Sequence, residues 1–200
     1  MKREEIRQKL ISGTICVIAR EGLDKASTKQ IGQTTAINEA YIYRCFRDKE
    51  DMLASAFDAL DEELLANTLQ HMELMALSEI PFEQRSRRYF FAMWAFLLGN
   101  RDKCLAYMQY FYSPYFIKYS AERHKKRFAP LVEEFKGAFA DGADIWMILN
   151  HILNVMFDFV VKVHNGLASR SDNYAEHVFR VIYESVRQYF RNDGGSGLLV

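Results

Sequence analysis

The sequence predicts an all-α protein, and three observations carry that expectation. Only three prolines and ten glycines interrupt 200 residues, β-branched runs are scarce, and no segment reads as a strand of alternating polarity. Half of the chain is hydrophobic and 26% is charged, so it can bury a substantial core.

Residues 3 to 20 open the chain as an amphipathic helix, because Ile6, Leu10, Ile11, Ile15 and Ile18 recur mostly at helical spacing. Gly22 stands where a left-handed residue ends such a helix. Ser27 then caps a second helix, with Gln30 at capping-box spacing and Ile31 and Thr35 as its inward positions. "TAIN" interrupts it. Asn38 caps a third helix, and Glu39 in the first turn suits the helix dipole. Asp48 offers the next N-cap, so the third helix is short and a fourth runs through "MLASAFDALDEELLANTLQHMELMAL". Two short helices backed by a longer one make a helix-turn-helix unit.

Further on, Pro81 opens a helix through Arg101, interrupted near Gly99 and Asn100. "DKCLAYMQYFYSPYF" forms another that ends around Ser113 and Pro114. The basic stretch "KYSAERHKKRF" leads into "APLVEEFKGAFADG", and two long helices, 144 to 163 and 173 to 191, complete the helical part. Residues 193–200 read as a flexible tail.

The formal net charge is zero, which argues against a protein that coats nucleic acid generically. Up to residue 53 about ten Lys/Arg stand against about eight Asp/Glu, a slight local basic excess. Cys16, Cys45 and Cys104 are scattered and form no C-x-x-C pair, so neither a zinc site nor a disulfide framework is indicated. A reducing cytoplasm fits best. The charged start "MKREEIRQKL" lacks the apolar run of a signal peptide. The longest apolar segment carries Asn150, His151, Asn154 and Asp158 and makes a poor membrane span, so no membrane partner is expected. The histidines lack metal-ligand spacing, and no nucleophile elbow, phosphate loop or paired-carboxylate pattern occurs. No catalytic residue, cofactor or metal is therefore expected.

The third helix divides lengthwise. With Ile42 toward the core and an advance of about 100° per residue, Phe46 falls on the same face and Glu39 and Cys45 at its flanks. Ala40 and Arg44 lie nearly opposite, with Tyr41 and Tyr43 on either side. A small Ala permits close approach, Arg44 can reach a guanine edge bidentately, and tyrosine hydroxyls can bond phosphates. Thr28 and Lys29 begin the second helix and Lys49 the fourth, where free N–H groups favour a phosphate. A plain solvent face can carry the same residues, and Asp48, Glu50 and Asp51 weigh against an anion clamp.

"IAREGLDKASTKQIGQTTAINEAYIYRCFRDKEDML", residues 18 to 53, resembles the N-terminal DNA-binding domain of TetR-family transcriptional repressors. The likeness, which extends over residues 5 to 53, is carried by Gly22, Ser27-Thr28, Ile31, Ile37, Tyr43, Phe46, Lys49 and Met52. This chain has Thr35-Ala36-Ile37 where the family usually has Ala-Gly-Val. It has Ala40 where Gly is common, and Gly32 where the family favours Ala. The resemblance implies about nine helices per chain: a three-helix helix-turn-helix domain over 1–53, then a ligand-binding and dimerisation domain over 54–192. It implies a homodimer joined through the last two long helices, with each third helix in a major groove of a palindromic operator. A small-molecule effector would release that operator. The residues toward DNA would be Thr28, Lys29, Asn38, Ala40, Tyr41, Tyr43, Arg44 and Lys49. The alternative is a helical, dimeric partner-binding protein whose DNA-binding head has decayed.

In the remainder, aromatics concentrate in "RRYFFAMWAFLL" and "CLAYMQYFYSPYFIKY". Core packing explains such stripes without any ligand. If a cavity lies between the helices, Met93, Trp94, Tyr107, Met108, Tyr110 and Phe111 are candidates to line it. Asn150, Asn154 and Asp158 share one stripe of an otherwise apolar helix. Either the stripe bonds across the dimer, or Asp158 faces a pocket, where nearby aromatics would suit a cationic effector. "ERHKKR", residues 122 to 127, is a second basic patch or a solvated helix end.

Overall fold

Apolar residues spaced three and four apart resolve into ten α-helices in the computed structural model, which describes residues 2–191. They are α1 (Arg3–Glu21), α2 (Thr28–Thr35), α3 (Glu39–Cys45), α4 (Lys49–Gln70), α5 (Phe82–Gly99), α6 (Arg101–Phe111), α7 (Pro114–Tyr119), α8 (Ala121–Phe135), α9 (Ile145–His164) and α10 (Asp172–Val186). No strand occurs among the described residues, where the only extended pairing is an isolated bridge between Phe139 and Phe190. The tail at 193–200 lies outside the described residues.

The all-α expectation is met, with three differences of detail. The count is ten and not about nine, because Pro114 at the first turn of α7 starts a short helix where one was expected to end. The basic stretch before Pro130 is helical as part of α8, since His124, Phe128, Leu131 and Phe135 fall on one buried face. The last helix stops at Val186, because the chain then tightens into a 3-10 turn and extends at Phe190 to pair with Phe139.

The chain forms two compact units. The first takes residues up to Leu64 together with Asn100–Lys126. Its helix-turn-helix is held by close backbone approach and by a few specific bonds. A Cβ on Gly13 of α1 would stand 2.1 Å from Thr35 Cγ2, so glycine lets α2 cross close to α1. Ile31, Ile37, Ile42 and Phe46 are buried between the short helices and their neighbours. Arg7 of α1 stacks over the Phe46 ring at 5.1 Å and donates to Ser55 Oγ of α4 at 3.1 Å, tying α1 to both. α6 packs on α1, and Gln109 Oε1 accepts from the Leu23 N–H at 3.0 Å, fixing the loop after α1.

The second unit takes Leu65–Gly99 and the described residues from Arg127 onward. There α5, α9 and α10 pack together, with Phe90 of α5 against Phe179 of α10 at 5.5 Å. His164 Nε2 lies 3.2 Å from the Leu97 carbonyl, and Arg87 pairs with Glu176 at 2.7 Å. Arg85 is buried, donating to the Met75 carbonyl at 2.7 Å and lying over the Phe82 ring.

Candidate nucleic-acid interface

Local chemistry sets each helix start in the head. The Ser27 hydroxyl accepts from the Gln30 N–H at 3.2 Å, half of the expected capping box. Asn38 Oδ1 accepts from the Ala40 N–H at 2.9 Å. Asp48 Oδ1 accepts from the Asp51 N–H at 2.7 Å, and Asp51 Oδ2 accepts from the Arg47 N–H at 3.0 Å. Two of the acids that weighed against an anion clamp are therefore engaged in starting α4.

The turn between α2 and α3 explains the unusual residues there. Ala36 lies at φ 54°, ψ 34°, the only non-glycine residue with positive φ among the described residues. Its left-handed geometry lets the Ile37 N–H return to the Gly32 carbonyl at 3.0 Å. A Cβ on Gly32 would sit 2.9 Å from the Ile37 carbonyl oxygen, so glycine at 32 makes room for the tight return. Glycine and alanine have traded places relative to the family pattern, each with a geometric consequence.

The lengthwise division of α3 is present. Ile42 is fully buried and Phe46, just past the helix end, is 3% exposed, while Tyr41 is 41% and Tyr43 60% exposed. Ala40, Arg44 and Asn38 are exposed as well. The Arg44 guanidinium rests over the Tyr41 ring at 5.0 Å, which holds the cation on the outer face. Lys29 is exposed, and Thr28 and Lys49 are half-buried at the first positions of α2 and α4. One contact was not anticipated: the Thr28 hydroxyl donates to Glu39 Oε1, joining the first residues of α2 and α3.

Residues 10–56 match the family model for bacterial regulatory proteins of the tetR family. The head is a TetR-family domain. The fold of the whole chain agrees with this. A TetR family transcription regulator from Marinobacter aquaeolei VT8 is similar at a TM-score of 0.74 and 15% identity, covering 92% of this chain and 98% of that one. A putative tetR family regulator from Shewanella sp. PV-4 is similar at a TM-score of 0.74 and 13% identity, covering 96% and 100%. The FadR regulator from Bacillus subtilis, solved in complex with stearoyl-CoA, is similar at a TM-score of 0.64 and 16% identity, covering 88% and 96%. No curated protein matches. The TetR-family head and the TetR fold support DNA-binding transcriptional regulation.

Within this TetR-like chain the ligand candidates fall in both units. In the first, Tyr107, Tyr110 and Phe111 gather around Phe57, whose ring lies 5.0 Å from Tyr107 and 4.8 Å from Tyr110. Tyr107 stacks on Phe111 at 5.8 Å, and Met108 beside them is half-buried. In the second, Met93 and Trp94 are buried, with Trp94 stacked on Phe90 at 5.6 Å. Asp158 is exposed and pairs with Lys162 at 2.6 Å, on the side of α9 turned away from its buried residues.

Sequence reasoning missed a fully buried carboxylate in the first unit. Asp61 is fully buried, with Oδ1 2.8 Å from His124 Nδ1 and 3.2 Å from the Tyr107 hydroxyl that donates to it. The His124 ring is edge-on to Phe111 and Phe116. The signal was there in the spacing Phe57, Asp61, Leu64, which puts the acid on the inward face of α4. Beside this cluster, burial pushes the Tyr110 hydroxyl above its usual range and the Cys104 thiol up to about 12.

Proposed function

We propose that the protein is a dimeric repressor that holds a palindromic operator and releases it when a small molecule binds. The observation that carries the DNA-binding half is the outer face of α3. Its Ala40 gap, its Arg44 steadied on Tyr41 and its exposed Tyr43 form a surface with a cation and hydrogen-bonding rings. Arg44 is the residue to read guanine, Tyr41 and Tyr43 reach the backbone, and Ala40 allows close approach. Asn38 lies at the near edge of the groove. The backbone N–H of Thr28, with Lys29 and Lys49, faces phosphates at two helix starts.

The dimer face we assign to α9 and α10. By length and composition α9 could cross a membrane, yet only 22% of its most apolar window is buried within the chain. Its outward stripe mixes Met147 with Asn150, Asn154 and Asp158, and Val181 of α10 is 56% exposed. A second copy covering this mixed face suits a cytoplasmic regulator better than lipid does. Asp158 is exposed and salt-bridged, which favours the interface over the pocket for this stripe.

The effector we place among the aromatic candidates of one unit or the other, Tyr107, Met108, Tyr110 and Phe111 in the first or Met93 and Trp94 in the second, with aromatic or cationic compounds as the first class to try. The functional boundary is taken after residue 53, with the remainder to 192 serving ligand and partner. Binding to DNA upstream of the protein's own gene tests the reading. Arg44→Ala should relax base preference, whereas Lys49→Ala should weaken all sequences alike and lower the salt slope by about 1. Parent-like binding by both variants would defeat the docking. Loss of operator binding on adding an aromatic, cationic or long-chain acyl compound would establish release.

A further inference from the structure

Glu39 sets an exposed carboxylate at the edge of the face proposed to meet DNA, between the buried side of α3 and Tyr43, and phosphates repel it whatever the sequence. The structure nevertheless holds it in place. Glu39 is the exposed first residue of α3, one turn before Tyr43 in the row beside Ala40 and Arg44. The Thr28 hydroxyl donates to its Oε1. Its backbone is fixed by the Asn38 cap on the next N–H and by the tight return of Ile37 to Gly32. Arg44 leans over Tyr41, on the flank of the helix away from Glu39.

A carboxylate only accepts hydrogen bonds. In the major groove guanine and the thymine carbonyl offer acceptors, adenine offers a donor beside an acceptor, and cytosine offers its amino donor alone. A fixed carboxylate is therefore best matched by cytosine, half matched by adenine and opposed by guanine and thymine, gaining discrimination where it loses general affinity. We infer that Glu39 is a specificity-determining residue that accepts from the cytosine amino group, and that the Thr28 hydroxyl is its positioning residue. The inference rests on the DNA-binding reading above. It also divides the work of Thr28: the single hydroxyl proton is given to Glu39, and only the backbone N–H is left for a phosphate.

The test is operator selection from a random duplex pool with the full-length protein, Glu39→Gln, Glu39→Ala and Thr28→Val. The parent should fix cytosine at one symmetric position of each half-site, preferring it on the order of ten-fold over other bases. Glu39→Gln should move that position toward adenine, which glutamine bonds bidentately, and Glu39→Ala should lose the preference. Thr28→Val should keep cytosine but discriminate several-fold less, with little change on sites lacking it. If both Glu39 variants kept the parent's bases and bound every sequence more tightly, Glu39 would be a repulsive charge only. Uniform weakening by Thr28→Val would return its hydroxyl to the phosphate. A parent that selects a palindrome without that cytosine overturns this inference alone. A parent that selects nothing overturns the DNA-binding reading, and the inference with it.

Discussion

Replacing Ala36 by glycine should stabilise the protein, and the size of the gain follows from one backbone angle. Ala36 occupies the left-handed region at φ 54°, ψ 34°. An L-residue there costs about 1–2 kcal/mol, which glycine does not incur. Glycine also enlarges the freedom of the unfolded chain, returning about 0.4–1 kcal/mol of that gain. The net expectation is roughly 0.5–1 kcal/mol of stabilisation, which for a chain of this size raises the Tm by about 1–4 °C. Gly32→Ala should move the other way despite alanine's better helix propensity, because its Cβ would stand 2.9 Å from the Ile37 carbonyl oxygen. Overpacking of that kind costs about 1–3 kcal/mol. Thermal unfolding by circular dichroism, at one fixed protein concentration because the Tm of the proposed dimer would depend on it, reads both variants. A lower Tm for Ala36→Gly, or a higher one for Gly32→Ala, would refute the turn geometry.

Three further outcomes are expected. Cys104, with its thiol moved from 9.0 to about 12, should hold about a thousandfold less thiolate than an ordinary cysteine and resist a thiol reagent at pH 8 that labels half-buried Cys16 and Cys45. The same shift has a sign for stability. Above about pH 9 the unfolded thiol ionises while the folded one keeps its proton until about 12, so stability falls across that window by up to about 1.4 kcal/mol per pH unit. Cys104→Ala should remove that part of the decline in urea titrations at stepped pH. Asp61→Ala strips the acceptor from His124 and Tyr107, and should cost roughly 2–4 kcal/mol in chemical denaturation. Val181→Glu combined with Met147→Glu should shift sedimentation from dimer toward monomer, and an unchanged sedimentation coefficient would move the dimer face elsewhere.

What could be read from the sequence is what short-range physics determines. Ile42 and Phe46 four residues apart give the buried side of α3, and Ser27, Asn38 and Asp48 mark helix starts by chemistry that acts within three residues. The short helix at Pro114 escaped because a proline after Ser113 reads equally as a stop or a start. The end of α10 at Val186 depends on Phe190 pairing with Phe139, 51 residues away, which no local pattern announces. The spacing of Phe57, Asp61 and Leu64 puts Asp61 on the inward face of α4, but its partners, His124 from α8 and Tyr107 from α6, are distant in sequence and no local pattern names them. Glu39 was read as a favourable helix-start acid, and only the Thr28 contact gave it a second meaning. The Asn150, Asn154 and Asp158 stripe was visible from spacing alone, but its outward orientation needed the packing of α9.

The most direct measurement is equilibrium binding of the full-length protein to its selected operator across a range of salt concentrations, beside a half-site and a scrambled duplex. One dimer should occupy a palindrome whose half-sites stand about 34–36 Å apart or a multiple of that, with log K falling linearly against log salt. The half-site and the scrambled duplex should bind at least a hundredfold more weakly. Binding indifferent to sequence and to the second half-site, or absent while the dimer is intact, would contradict a two-headed reader of DNA.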